Sequence, residues 1–271
     1  MKDIYKYTKD SKEFEGFTNY KKNLLQDRLK LEWTYTSNAI EGNTISLGDT
    51  AFIIEEGLTI AGKSLREHNE VIGHARAIDI IYGLLDNDTI TQDDIFTLHK
   101  AVQTMIVIDS ECPIGEYKVV VNGTYIRIDG RLKFFEYPHP HDIKHLMKLW
   151  FDEFSDITTT NLSLEEAIKV YTRSHLSFTA IHPFFDGNGR LGRLLANLPM
   201  LKNKFMPLIV DVKYRTQYIQ LLSQYKRSVK ELDNKTINLI EENKEFEELY
   251  EFFKSQYQNS QILLDELKRI K

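Results

Sequence analysis

His182-Pro183-Phe184-Phe185-Asp186-Gly187-Asn188-Gly189-Arg190-Leu191-Gly192-Arg193 sets a base, an acid, a glycine-rich turn and two arginines in one unbroken run. Gly187 and Gly189 let the backbone turn tightly and bring N–H groups against an anion, an approach that a Cβ would obstruct. Leu191, Leu194, Leu195 and Leu198 keep the i, i+3, i+4, i+7 spacing of a helix that begins at about Gly189. The free N–H groups and the dipole of that helix start add a second attraction for negative charge. Arg190 and Arg193 share one helix face, from which forked guanidiniums reach phosphate oxygens. Asp186 would repel phosphate unless a cation stood between them, which points to Mg²⁺. His182 is the group here able to accept a proton near neutral pH.

The same residues also fit a different template. Gly187-x-Gly189-x-x-Gly192 matches the dinucleotide-binding G-x-G-x-x-G, with Asp211 roughly where a ribose-binding acid would fall. That fingerprint needs a strand directly before its first glycine. Here Ser163 and Glu166 make a capping box, and Ala167, Val170, Tyr171, Ser174, Phe178 and Ile181 run at helical spacing up to His182. A helix leads into the loop, and no second strand–helix–strand pattern accompanies it, so the dinucleotide reading is set aside.

Read together, His-x-Phe-x-Asp-Gly-Asn-Gly-Arg-x-x-Arg resembles the signature of the Fic (filamentation induced by cAMP) family at every specified position. The resemblance implies an all-α, mainly helical enzyme with a small β-hairpin flap. Such an enzyme moves AMP from ATP onto a hydroxyl of a target protein and releases pyrophosphate. The resemblance assigns His182 as the base, Phe184 as the anchor of the loop in the core and Asp186 as the Mg²⁺ ligand. Gly187, Asn188 and Gly189 become the anion nest, and Arg190 and Arg193 hold the outer phosphates. Phosphoryl chemistry depends on positioning and charge neutralisation, which suits this set.

Ser37-Asn38-Ala39-Ile40-Glu41-Gly42 resembles the family's regulatory motif, Ser/Thr-x-x-x-Glu-Gly/Asn, in the class whose inhibitory helix precedes the core. From the residues alone, Leu25, Leu29 and Trp33 step by four and bring Ser37 and Glu41 to nearly one helical face, with Gly42 or Asn43 as C-cap. A carboxylate near a helix C-terminus opposes the dipole, so Glu41 needs a cationic partner. The resemblance names Arg193. That pair would occupy the guanidinium meant for the γ-phosphate and act as a brake.

Residues 116–141 form the strand region. Tyr117, Val119, Val120 and Val121 precede Asn122-Gly123; Thr124, Tyr125, Ile126 and Ile128 follow; Asp129-Gly130 makes another turn. By resemblance this is a flap that pairs with a target's extended backbone, with Leu132, Lys133, Phe134 and Phe135 as its docking stretch. Lys118 stands where an arginine is frequent in the family, and Tyr137-Pro138 where paired prolines are frequent. Tyr218, on a helix after the strand-like Leu208-Ile209-Val210, is a candidate adenine contact, and Lys226 lies two turns further on. His139, His141 and His145 could suggest a metal site, but no cysteine or third cluster accompanies them, and they read as surface histidines at a helix start.

The 271 residues, 42% of them hydrophobic, show no Pro/Gly/Ser linker and read as a single unit. Within it lie an N-terminal region at 1–60 with the inhibitory helix, a catalytic core at 91–228 with the flap at 116–141, and C-terminal helices in 229–271. Helices are expected at about 15–41, 64–86, 91–105, 142–155, 163–181, 189–203, 211–228 and 246–269. The lone Cys112 suits a reducing cytoplasm. Neither an apolar leader nor a run of about 18 apolar residues is present, which speaks against secretion by that route and against membrane spanning. A net charge of −5 speaks against a broad nucleic-acid surface. The resemblance further implies auto-AMPylation and makes a homodimer plausible. Two alternatives remain open: removal of AMP from a modified protein, with Glu41 positioning water, and an ATP-sensing interaction module without chemistry.

Overall fold

In a computed structural model, residues 5–103, 110–128, 130–156, 158 and 161–269 are described. The helices in chain order are α1 (Lys6–Lys9), α2 (Asn19–Ile40), α3 (Leu47–Glu56), α4 (Leu65–Leu84), α5 (Gln92–Val102), α6 (Pro140–Phe154), α7 (Leu164–Ile181), α8 (Asn188–Leu195), α9 (Leu198–Lys202), α10 (Arg215–Ser228) and α11 (Lys244–Arg269). Between α5 and α6 lies a two-stranded antiparallel hairpin, β1 (Gly123–Ile128) and β2 (Arg131–Glu136). The fold is all-α with a small hairpin.

Hydroxyl residues write five of the helix starts. Thr18, Ser46, Ser64, Thr91 and Ser163 each accept through the side chain from an amide three residues on, opening α2, α3, α4, α5 and α7. Ser64 with Glu67, Thr91 with Asp94 and Ser163 with Glu166 complete reciprocal capping boxes. Helix α3 has no counterpart in the sequence reading, although Ser46 caps its start and Gly57, at φ 66°, closes its end. Its Ile53 packs with Ile45 and Val71 in a small separate cluster that buttresses the end of α2.

The main core is built around α7, which packs against α6, α8, α9 and α11. Trp150, Tyr171, Phe178, Phe184 and Phe253 are fully buried there, each contributing about 2–3 kcal/mol of transfer free energy. The helix expected at 189–203 breaks into α8 and α9. Asn197 sits at the break, its side chain donating to the Arg193 and Leu208 carbonyls and accepting from the Leu208 amide. Pro199 in the next turn lacks an N–H and biases the chain before it away from continued helix. The strand-like Leu208-Ile209-Val210 is buried but joins no sheet. Side chains satisfy its neighbourhood instead: Asn197 at Leu208, Ser260 at the Pro207 carbonyl and Gln256 at the Asp211 amide.

The hairpin also departs from expectation. Its closing turn includes Gly130, at φ 78°, while Asp129 lies outside the described residues. Residues 117–122 form no strand, and Asn122-Gly123 is not a hairpin turn. Tertiary bonds outweigh the local turn preference, because Asn122 donates to the carbonyls of Phe184 (3.1 Å) and Phe185 (3.0 Å) and accepts from Lys118 Nζ at 2.7 Å. Gly123 is needed for close approach: a Cβ there would lie 2.4 Å from the Phe134 ring and from the Phe135 carbonyl. Residues 104 and 105, expected to end α5, also lie outside the described residues. Among the described residues no helix is long and apolar enough to cross a membrane.

Candidate active site

His182 is the C-cap of α7 and holds a left-handed backbone, φ 51° and ψ 58°, rare for a residue with a side chain. Its ring Nδ1 lies 3.4 Å from the Thr179 carbonyl, which can only accept, so Nδ1 carries the proton and Nε2 is the basic nitrogen. The imidazole stacks on Tyr137, centroids 3.6 Å apart and planes 4° from parallel. Burial, reinforced by the Lys118 and Lys226 ammoniums, pushes its pKa down to about 3. His182 is therefore neutral and able to take a proton at physiological pH.

The loop that follows is pinned from inside. Phe184 is fully buried, stacked on His99 at 3.9 Å with Phe96 and Tyr117 around it. The Asn188 side chain accepts from the Phe184 amide at 3.0 Å and donates to its carbonyl at 2.8 Å. Asn188 thus shapes the loop with a buried side chain. Gly187, at φ 80°, turns the chain into α8, whose first-turn amides have no intrahelical acceptor. Asp186 is exposed on this turn, with Oδ1 accepting from the Gly187 amide and Oδ2 from Gln103 Nε2 at 2.9 Å. Burial opposes its charge, but Gln103, Arg190 and the Gly187 amide outweigh that and hold the carboxyl below its usual range.

Both arginines are buried, and both are occupied. Arg190 donates to Gln103 Oε1 at 3.1 Å and approaches Glu70 at 3.9 Å, while its Nε has no partner. Arg193 Nε donates to Ser37 Oγ at 3.1 Å, and Nη2 donates to the Ser37 carbonyl at 2.9 Å and to Glu41 Oε1 at 2.7 Å. Burial works against the charge of Arg193, and Glu41 with the Tyr218 hydroxyl more than offsets it. The Tyr218 hydroxyl lies beside Arg193 and donates to His175 Nε2 at 2.7 Å. Its ring is buried against Phe252 and Phe253, beneath the arginine, and presents no open face to a base.

The end of α2 delivers Ser37 and Glu41 to this point. Glu41 is the C-cap, Gly42 turns away at φ 100°, and Arg215 Nε fastens the Ile40 carbonyl at 2.6 Å. Gly189 faces the pair so closely that a Cβ would stand 2.5 Å from Glu41 Oε1. A neutral base, an amide-rich turn, two carboxylates and two guanidiniums thus converge from α2, α7, α8 and the loop between the last two. Such a set can bind a polyphosphate and accept a proton from a nucleophile beside it.

The Fic/DOC family model matches residues 89–200, the span that carries His182, the loop and both arginines. The protein adenylyltransferase fic-1 of Caenorhabditis elegans is 35% identical over 189 residues, covering 69% of this chain and 34% of the relative. The chain carries a Fic/DOC-family domain. The protein adenylyltransferase Fic of Nematostella vectensis is 32% identical over 192 residues, 70% of this chain and 42% of its own length. The chain thus spans about a third of the length of the first of these relatives. A solved Fic-1 structure from C. elegans (residues 134–508) superposes with a TM-score of 0.73 at 26% identity, over 99% of this chain and 72% of the other. A Fic domain containing signaling protein from Bacteroides thetaiotaomicron shares the fold, with a TM-score of 0.78 at 22% identity over 98% and 95% of the two chains.

Several residues of this Fic site escape sequence reasoning. His99 receives the Gly115 amide on Nδ1 at 2.8 Å, so its Nε2 carries the proton and donates to the Asp186 carbonyl at 3.2 Å. Burial lowers its pKa to about 4. Gln103, one turn on, bridges Asp186 and Arg190. The signal was present as spacing, since His99 and Gln103 are four apart on α5, but nothing local marks two polar residues on a helix as supports for a loop more than eighty residues away. The stretch expected to dock a target lies on β2, where Leu132, Lys133 and Phe134 are exposed and Phe135 is half-buried.

Proposed function

We propose that this chain is a protein adenylyltransferase that transfers AMP from ATP to a hydroxyl side chain of a target protein. The observation that carries the reading is the neutral His182, its Nε2 uncommitted, at the mouth of a turn that ends in the α8 amides and two arginines. The acceptor oxygen attacks the α-phosphorus as its proton passes to His182 Nε2. The bond from the α-phosphorus to the bridging oxygen breaks, and pyrophosphate leaves. Arg190 and Arg193 neutralise the charge that gathers on the leaving group.

Asp186 fits a Mg²⁺ ion of the kind held by one carboxylate plus substrate phosphates, because it is ionised and exposed on the phosphate-side turn. There the ion would neutralise phosphate charge. The target docks on the exposed side chains of β2, Leu132 to Phe135, by adding an extended segment to the hairpin. The protein itself is a second acceptor, and a homodimer in a cytoplasmic setting completes the proposal. Glu41 acts as a brake, because Arg193 cannot serve a carboxylate and a γ-phosphate at once.

Incubation with Mg²⁺ and ATP labelled at the α-phosphate tests this. Glu41→Gly is expected to raise labelling of the protein or of lysate proteins, and adding His182→Ala to abolish it; equal labelling with and without His182 would end the reading. A reverse reading has one observation in its favour. The Glu41 side chain is 41% exposed and engages Arg193 through Oε1, so it could also position a hydrolytic water for AMP removal. Glu41→Gly would then lose activity instead of gaining it.

A further inference from the structure

The ring of Tyr137 is held on both faces. His182 stacks on it at 3.6 Å and 4°, and Lys226 Nζ stands 3.6 Å from the same centroid. Two groups that close to one ring centre cannot share a face, so the order is Lys226, Tyr137, His182. Each member is anchored in a different element. The Tyr137 amide, just past β2, donates to the Asn122 carbonyl at 2.9 Å, and Lys226 on α10 reaches the Glu136 carbonyl at 3.4 Å. Tyr137, like Lys118, stands where the sequence departs from the family's frequent residues, and both Tyr137 and Lys226 lie outside the His182–Arg193 signature.

His182 needs such support. Its left-handed backbone is a strained choice for a residue with a Cβ, and the bond from its ring to the Thr179 carbonyl is long. The charged groups that face it are Lys118 and Lys226 from the flap base and α10, and Asp186 from its own loop. Lys118 is itself tied to Asn122 Oδ1, and Glu231 faces Lys226.

We propose that Tyr137 is a positioning residue for the base, covering one face of the His182 imidazole and clamped there by Lys226. The inference rests on reading His182 as the proton acceptor. The bracket excludes water from the imidazole and keeps it in its neutral, Nδ1-protonated form. It also links the base to the docking strand, because Tyr137 directly follows β2. Burial and its two neighbouring cations depress the His182 pKa, and Tyr137 supplies part of that burial.

The test is a nuclear magnetic resonance titration of the histidine rings in the full chain, with no nucleotide present. In the unaltered protein His182 should remain neutral down to about pH 5. Tyr137→Ala, which admits water, should bring its titration midpoint above about pH 5, and Lys226→Gln should raise it by less. Tyr137→Phe, which keeps the stack, should leave it unchanged. His145, whose Nε2 meets the Thr236 carbonyl at 2.9 Å, reports whether each variant is folded. The bracket is overturned if His182 titrates near its ordinary value in the unaltered chain, if it is still neutral at about pH 5 in Tyr137→Ala, or if Phe and Ala act alike. Because the signal is the imidazole and not a labelled product, adenylyl transfer can fail while the bracket stands, and the bracket can fail while transfer stands.

Discussion

The catalytic loop and the flap lie against each other, yet they are held by opposite means. Residues 182–193 fold around their own chemistry: Asn188 clamps Phe184, Gly187 makes the turn, and the arginines follow on α8. The flap is a hairpin whose outward face is exposed, fastened at its base by Lys118 to the Pro183 carbonyl and by Asn122 to Phe184 and Phe185. The loop that carries the candidate chemistry is packed from within, and the hairpin's outward face is left open and tied at one end.

The largest effect expected separates chemistry from scaffold. His182→Ala should lower labelling in a Glu41→Gly background by at least about a thousandfold, within the range for losing a general base, with the melting temperature little changed. A scintillation count of labelled product beside a thermal melt decides it. Phe184→Ala should instead unfold the loop from within, costing about 3–5 kcal/mol by denaturant titration, because its ring is fully buried among aromatic neighbours. A loss confined to activity would show that the loop holds itself without that anchor.

The flap's tie should be weaker. Asn122→Ala removes the bonds to two loop carbonyls, of which that of Phe184 keeps its bond from Asn188, a loss of about 0.5–1.5 kcal/mol per bond. The comparison predicts a higher KM for the protein target with ATP affinity nearly unchanged, measured by labelling at varied target concentration. Equal losses for both substrates would mean that the flap and loop are one rigid unit.

Mild acid supplies the smallest effect, again confined to one side. His99, His175 and His182 have folded pKa values lowered by burial to about 4, 3 and 3, and His74 is also lowered by burial and by both arginines. The unfolded chain binds protons at these sites first, so stability is full above about pH 6.5 and falls progressively as pH drops below it. The described hairpin strands contain no histidine. Hydrogen exchange at pH 7 and at about pH 5.5 should therefore show the loop and α7 losing protection relative to β1 and β2; uniform change would contradict the assignment.

How legible each region was follows from where its determinants sit. The loop was readable because base, acid, glycines and arginines are consecutive, and the capping box at Ser163 marks the helix that leads to them. Glu41 and Arg193 are 152 positions apart, and their pairing came from resemblance, with the dipole argument saying only that Glu41 needs a cation. Helix α3 carries its own signals in Ser46 and Gly57, but its ten residues between two longer helices give a weak periodic pattern. The Asn122-Gly123 turn failed for a different reason: its side chain is recruited by Phe184 and Phe185, partners no local window contains. Gln103 and Tyr137 share that invisibility, each acting on a loop that arrives from elsewhere in the chain.

The central claim is that one guanidinium has two competing partners, Glu41 now and a γ-phosphate in the active state. Calorimetric titration of Mg-ATP and Mg-ADP into the unaltered chain and into Glu41→Gly isolates it. If Arg193 is released to the third phosphate, Glu41→Gly should tighten ATP by about tenfold while ADP changes far less, the screened worth of a charge-assisted bond at a half-exposed carboxylate being about 1–2 kcal/mol. Equal tightening of both nucleotides, or none, would contradict the account.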